Sequence, residues 1–231
     1  MKNEFLHADS IKVLADLPDG SVDVLLTDPP YPNQQGLFPE TISDGYAGVY
    51  LGAKKARNFV VFFWSPRTQA PLPPPGWYEV ARHIWAKPDA ASITAYEQII
   101  VWARNYKRLR SKVWTVPILD FRTLSDWQPH PTQKPLRLMR YLLDLYTKEG
   151  ESVLDPFAGS GTTAVACLQM KRQYLAIEKD PNYADVAKKR LDQRGEREFD
   201  APEKADEGGH APPETAPPAP EEQKRKPAAK K

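Results

Sequence analysis

The chain's 231 residues (26.1 kDa), 41 % hydrophobic and 27 % charged, suffice for one domain to one and a half with a buried core. No run nears the roughly 18 apolar residues of a membrane helix, and the N-terminus carries no apolar secretory stretch. Cys167 stands alone, which excludes an internal disulfide or a cysteine-built zinc site, so no metal is expected and the chain reads as soluble, intracellular and cytoplasmic.

The formal charge of +2 is unevenly spread. Residues 196–231 hold nine acids and seven bases, whereas residues 81–122 hold eight bases against three acids, Asp89, Glu97 and Asp120. Clustered bases are the usual footprint of a polyanion-binding surface. Residues 196–231 also carry seven of the 24 prolines and one large apolar residue, Phe199. Such a segment cannot offset its ordering entropy and is expected to be a disordered tail.

Residues 1–195 alternate strand-like and helix-like stretches. In chain order, residues 5–8, 22–27 (VDVLLT), 58–64 (NFVVFFW), 79–86, 98–103, 152–155 (SVLD) and 173–178 (QYLAIE) are expected strands. The continuous apolar runs suit strands buried on both faces of a parallel sheet, and residues 79–86 and 98–103 suit a hairpin. Leu136, Met139, Leu142, Leu143 and Tyr146 recur at helical spacing, and residues 160–171 and 182–194 also read as helices. This interleaving predicts an α/β three-layer sandwich.

Two motifs end predicted strands. Thr27-Asp-Pro-Pro-Tyr31 follows the second strand, and its prolines fix the backbone and leave carbonyls free of competing N–H groups. Asp28 and the Pro29 carbonyl suit a planar substrate bearing an amino group, with Tyr31 stacked on its ring. An exocyclic amino nitrogen is a poor nucleophile because its lone pair is delocalised; two acceptors on its hydrogens favour a tetrahedral nitrogen that can attack a methyl group.

The second motif, Ser152-Val-Leu-Asp-Pro-Phe-Ala-Gly-Ser-Gly-Thr-Thr163, reads strand, turn, helix. Gly159 and Gly161 permit close backbone approach to a ligand, and the helix start offers free N–H groups. Glu178, ending the next strand, suits ribose hydroxyls. A dinucleotide turn is the competing reading, but a pyrophosphate leaves Asp155 unexplained. A carboxylate there suits a cationic group such as the ammonium of S-adenosyl-L-methionine.

Together these residues resemble the β class of DNA amino-methyltransferases, which modify adenine N6 or cytosine N4. Asp28–Tyr31 resembles the family's catalytic motif, Phe157-Ala-Gly-Ser-Gly161 its cofactor motif, and His130-Pro-Thr-Gln-Lys-Pro135 the segment that leads into the latter. The catalytic motif comes first, as in that circularly permuted class. The resemblance spans residues 1–195 and implies a Rossmann-like S-adenosyl-L-methionine-dependent methyltransferase fold, with a seven-stranded mainly parallel sheet. It implies catalytic roles for Asp28, Pro29, Pro30 and Tyr31. It places Asp9, Asp28, Thr132, Lys134, Asp155, Phe157, Ala158, Gly159, Ser160, Gly161, Thr162 and Glu178 around the cofactor. His130 is expected to be structural.

DNA is the implied partner. Asp in the catalytic motif leans by family habit to adenine N6; cytosine N4 is the alternative, and a non-catalytic DNA-binding subunit of the same fold is the rival from another class. A protein-glutamine methyltransferase would carry the motifs in the reverse order. Only residues 104–128 remain for target recognition. Arg104, Lys107, Arg108, Arg110 and Lys112 there are the expected DNA contacts. A short or relaxed recognition site follows, or recognition completed by a second subunit of a homodimer. Residues 32–57, with Gly36, Gly45, Gly48 and Gly52, suit either a lid over an extruded base or a surface excursion with a short helix. Trp64, Trp85, Trp102 and Cys167 are expected in the core.

Overall fold

A computed structural model describes residues 3–31, 42–88, 95–118 and 133–195. Expectations resting on Gly36, His130, Thr132 and residues 196–231 lie outside the described residues. In chain order the elements are β1 (Glu4–His7), α1 (Ser10–Asp16), β2 (Val22–Thr27), α2 (Ile42–Lys55), β3 (Ala56–Trp64), β4 (Tyr78–Ala86) and β5 (Tyr96–Ala103). β6 (Val113–Thr115), α3 (Leu136–Tyr146), β7 (Ser152–Asp155), α4 (Thr162–Gln169), β8 (Gln173–Glu178) and α5 (Pro181–Gly195) follow.

The strands form one sheet in the order β1-β8-β7-β2-β3-β5-β4-β6. Only β5 runs against the others, pairing antiparallel with both β3 and β4. Its apolar run is buried between those neighbours, as are the runs of β2, β3 and β7. The connections through α1 and α2 step one way along the sheet, and α4 steps the other. Right-handed crossovers therefore put α1 and α2 on one face and α4 on the opposite face, where it packs on α3 and α5. α3 buries Leu136, Met139, Leu142, Leu143 and Tyr146, the residues that share its inner stripe. Trp64, Trp85, Trp102 and Cys167 are buried as expected.

Two expectations change. The sheet has eight described strands, not seven, because the basic segment supplies an edge strand. β6 is held by specific bonds rather than by an apolar run. The Leu109 N–H donates to the Val80 carbonyl (2.8 Å), the Lys112 N–H to His83 Nδ1 (2.8 Å), and Trp85 Nε1–H to the Val116 carbonyl (2.7 Å). Because His83 Nδ1 accepts, its Nε2 carries the proton and faces the Tyr146 hydroxyl. Burial pulls the His83 pKa down to about 4.

The second change concerns residues 42–57, which are not a glycine-hinged lid. Gly45, Gly48 and Gly52 all lie within α2. A Cβ on Gly45 would overlap the Pro30 carbonyl, on Gly48 the Phe157 ring, and on Gly52 the Leu25 side chain. The glycines let α2 lie directly on β2 and on both predicted motifs.

Candidate active site

In a parallel sheet, ligands collect outside the C-terminal ends of the strands. Asp9 follows β1, Glu178 ends β8, the 156–161 turn follows β7 and Asp28 follows β2, on four adjacent parallel strands. At about 4.8 Å per strand these positions span roughly 14 Å of one edge. β5 is antiparallel, so its N-terminal end, with Glu97, reaches the same edge, and Lys87 follows β4 there.

The first half of this edge is built largely from backbone. Gly159 and Gly161 take positive φ values of 51° and 78°, in the region glycine favours. A Cβ on Gly161 would stand 2.9 Å from that of Ala187 on α5. Gly161 caps α4 without a side-chain hydrogen bond to the first-turn N–H groups. The Glu178 carboxylate accepts from the Gly159 N–H (2.7 Å) and the Asp180 N–H (2.8 Å), and burial raises its pKa. Those bonds fix it beside the turn with lone pairs to spare for hydroxyl groups. Asp9 lies on the neighbouring strand, where it caps α1 through the Ile11 N–H (3.0 Å) and stands 3.8 Å from the Lys179 ammonium. A glycine cradle, a helix start without a side-chain cap and two flanking carboxylates fit a nucleoside cofactor that also carries charged groups.

Asp155 serves differently from expectation. It is 4 % exposed, and its carboxylate accepts from the Thr27 hydroxyl (2.7 Å), the Phe157 N–H (3.1 Å) and the Thr163 hydroxyl. Burial pushes its pKa up to about 6. It braces β7 against β2 and α4, rather than offering a free carboxylate to an ammonium. The Ser160 and Thr162 side chains likewise face Arg190 of α5, and Ser160 also bonds Gln133 (2.8 Å). Gln133 stands in the His130–Pro135 motif, but its contact with Ser160 and Arg190 joins segments far apart in the chain and is not legible from the sequence.

The second half of the edge is built from charged side chains. Asp28 Oδ1 accepts from the Tyr31 hydroxyl and Oδ2 pairs with the Lys134 ammonium. Lys134 also stands 3.3 Å from Glu97 Oε2, whose other oxygen binds Lys87 (3.1 Å). The Lys134 side chain is 8 % exposed and its ammonium lies 5.1 Å from the centre of the Phe63 ring. Burial favours the neutral acid and raises the Asp28 pKa; Lys134 pulls it down and Glu97 pushes it up. Burial would lower the Lys134 pKa, but Asp28 and Glu97 outweigh it and hold the ammonium protonated. Burial likewise opposes ionisation of Glu97, yet Lys134 and Lys87 bring its pKa below the usual value.

Lys134, expected beside a cofactor, thus sits on the Asp28 carboxylate. Tyr31 is 3 % exposed, its ring 5.4 Å from that of Trp64. Stacking on a substrate ring requires the Tyr31 side chain to turn out of this packing. Glu97 was visible only as one of three acids in a basic stretch; its apolar strand setting was the available signal.

The expected DNA contacts fall away from this edge. Arg104 follows the far end of β5, seven residues from Glu97, roughly 23 Å along the strand. Its guanidinium lies 4.5 Å from the Trp77 ring centre and bonds the Ala56 carbonyl (3.4 Å). Lys107, Arg108, Arg110 and Lys112 are exposed along the route back up β4 to β6.

The chain matches the DNA methylase family of N6/N4 enzymes over residues 46–189. It is 31 % identical over 206 residues to the protein YubD of Escherichia coli (strain K12), covering 82 % of this chain and 90 % of that one. It is 26 % identical over 253 residues to the type II methyltransferase M2.DpnII of Streptococcus pneumoniae, covering 84 % and 92 %. The solved complex of M1.HpyAVI with S-adenosylmethionine superposes with a TM-score of 0.62 at 25 % identity, covering 83 % of this chain and 99 % of that one. With this family match and the motifs on one strand edge, the chain belongs to the DNA methylase family, as an S-adenosyl-L-methionine-dependent DNA methyltransferase.

Proposed function

We propose that this methyltransferase modifies the N6 amino group of adenine extruded from DNA. The observation that carries the reading is the Asp28 carboxylate, paired with a buried ammonium at the end of β2 and followed by two prolines. Asp28 accepts one amino N–H and the Pro29 carbonyl the other. Pro30 fixes the loop against α2, and Tyr31 turns onto the base. When bound, S-adenosyl-L-methionine would supply the electrophilic methyl group: the amino lone pair would form the new N–C bond as the C–S pair leaves to sulfur, and the nitrogen would return a proton to solvent.

Asp9, Glu178 and residues 157–162 hold this cofactor in the reading, with Asp155 bracing their turn; Thr132, from the family motif, is a further expected contact. Lys107, Arg108, Arg110 and Lys112 grip DNA phosphates, with Arg104 at their margin. The catalytic domain occupies residues 1–195, followed by a tail that takes no part in catalysis. The protein acts in the cytoplasm of a prokaryotic or virus-infected cell, with a homodimer completing target recognition.

Base-resolved methylation mapping of DNA from cells that express the protein tests the target. N6-methyladenine at one short motif is the expected product. N4-methylcytosine without N6-methyladenine would move the reading to the alternative base, and DNA that is bound yet unmodified would favour the non-catalytic rival.

A further inference from the structure

Glu97 and Lys87 belong to neither sequence motif, yet both are largely shielded from solvent at the catalytic edge. Their side chains are 15 % and 11 % exposed. The pair extends the Asp28–Lys134 contact into a chain of four alternating charges, Lys87, Glu97, Lys134 and Asp28, drawn from β4, β5, the start of α3 and the end of β2. Burying four ionised groups is costly unless each is paired, and a hydrophobic set of similar volume is often no less stable. Stability alone is therefore a weak reason for this arrangement.

The chemistry supplies a better one. Methyl transfer makes an amino nitrogen cationic, so the site gains by presenting negative charge there as the bond forms. Lys134 opposes the burial that favours the neutral form of the part-buried Asp28, but by itself it would cancel the charge it preserves. We propose that Glu97 is a positioning residue for methyl transfer, acting through Lys134. It shares the ammonium with Asp28, and also accepts from the Tyr31 hydroxyl (3.4 Å), so that part of the ammonium's charge is offset and Asp28 meets the substrate nitrogen less fully cancelled. Lys87 adds positive charge that offsets Glu97 in turn, and the four groups together are neutral. The inference rests on Asp28 being the acceptor of the substrate amino group.

Charge-matched variants of the full-length protein provide the test, read by transfer of labelled methyl from S-adenosyl-L-methionine into plasmid DNA carrying the mapped site. Glu97→Gln leaves the group with net positive charge and is expected to lower kcat roughly 10- to 100-fold. The cofactor KM should stay within about threefold, because the cofactor-facing turn is untouched. The double variant Lys87→Gln/Glu97→Gln restores neutrality and should be several-fold faster than Glu97→Gln. A merely structural role makes the double variant no faster.

The pH profile gives an independent reading. The ionisable groups around Asp28 are Tyr31 after β2, Lys134 before α3, Glu97 on β5 and Asp155 on β7, with Lys87 of β4 behind Glu97. Glu97 is a like charge to Asp28, so its loss should not move the acid limb of kcat to higher pH. Wild-type kcat in Glu97→Gln, no gain in the double variant, or an acid limb moved upward would each overturn the proposal. If Glu97→Gln does not fold, Glu97→Asp draws the carboxylate back from Lys134; a severalfold lower kcat at unchanged cofactor KM is then expected, and unchanged kcat overturns the proposal. Asp28→Ala is assayed alongside. Activity in Asp28→Ala would defeat the reading of Asp28 itself, whereas an inactive Asp28→Ala beside a fully active Glu97→Gln would defeat only the role of Glu97.

Discussion

The two halves of the ligand-binding edge are made of different materials. Between β1 and β7 the edge is a backbone device: two left-handed glycines, a helix start capped by one of them, and a carboxylate pinned by main-chain N–H groups. Between β2 and β4 it is a side-chain device, with two carboxylates, two ammoniums and a phenol from four segments of the chain. A backbone device tolerates changes of charge and fails when a Cβ is added. A side-chain device tolerates small changes of shape and fails when its charge balance changes. The 42–55 helix spans both halves, laying glycines on Pro30 and Phe157.

The sharpest way to break the comparison is to remove the one carboxylate that faces the substrate. Asp28→Ala should lower methyl transfer at least about 10³-fold, measured as labelled methyl incorporated into DNA. Residual transfer near the wild-type rate would show that the charged half is not where the chemistry occurs.

Gly161→Val strikes the other half. The new side chain meets both a positive φ of 78° and the Ala187 Cβ, which would lie only 2.9 Å from the added Cβ. Strained backbone at such a position costs of order 1–3 kcal/mol. The variant should lose at least about tenfold in cofactor affinity, by equilibrium binding, with a lowered melting midpoint. Affinity within twofold of wild type would contradict the backbone account.

Lys134→Gln sharpens the account of the charged half. Burial and Glu97 raise the Asp28 pKa, and Lys134 opposes them. Removing the ammonium lets that pKa rise, and the active form is the carboxylate. The acid limb of kcat should therefore move to higher pH, with part of the activity recovered on the alkaline side. An unmoved limb would separate Lys134 from Asp28 ionisation.

The smallest expected effect lies outside both halves. Neutralising Arg108 and Arg110 together should weaken DNA binding across sequences and flatten the log K against log salt slope by about 2. An unchanged slope would remove this stretch from the DNA face.

Legibility in the sequence follows the same division. The cofactor turn, Asp28 and Tyr31 stand in contiguous motifs whose spacing carries meaning, and most strands stand in apolar runs. β6 escaped notice because its three residues carry no run; it exists through His83, Trp85 and the β4 backbone, all distant in the chain. α2 was obscured because its glycines resemble flexible linkers, whereas the helix needs them for close contact. Glu97 and Lys87 were hidden for another reason. Their meaning is pairwise, and the partner, Lys134, is 37 residues beyond Glu97 in sequence. Asp155 was legible in position but not in use, since its partners Thr27 and Thr163 appear only once β2, β7 and α4 are assembled.

The division itself is tested most directly by cofactor affinity, measured by titration calorimetry on Asp28→Ala and Gly161→Val in parallel. Near-normal binding of S-adenosyl-L-methionine by Asp28→Ala, within about threefold of wild type, beside a loss of at least about tenfold in Gly161→Val is the predicted result. Equal loss in both would show that the two halves act as one site, and would contradict the account.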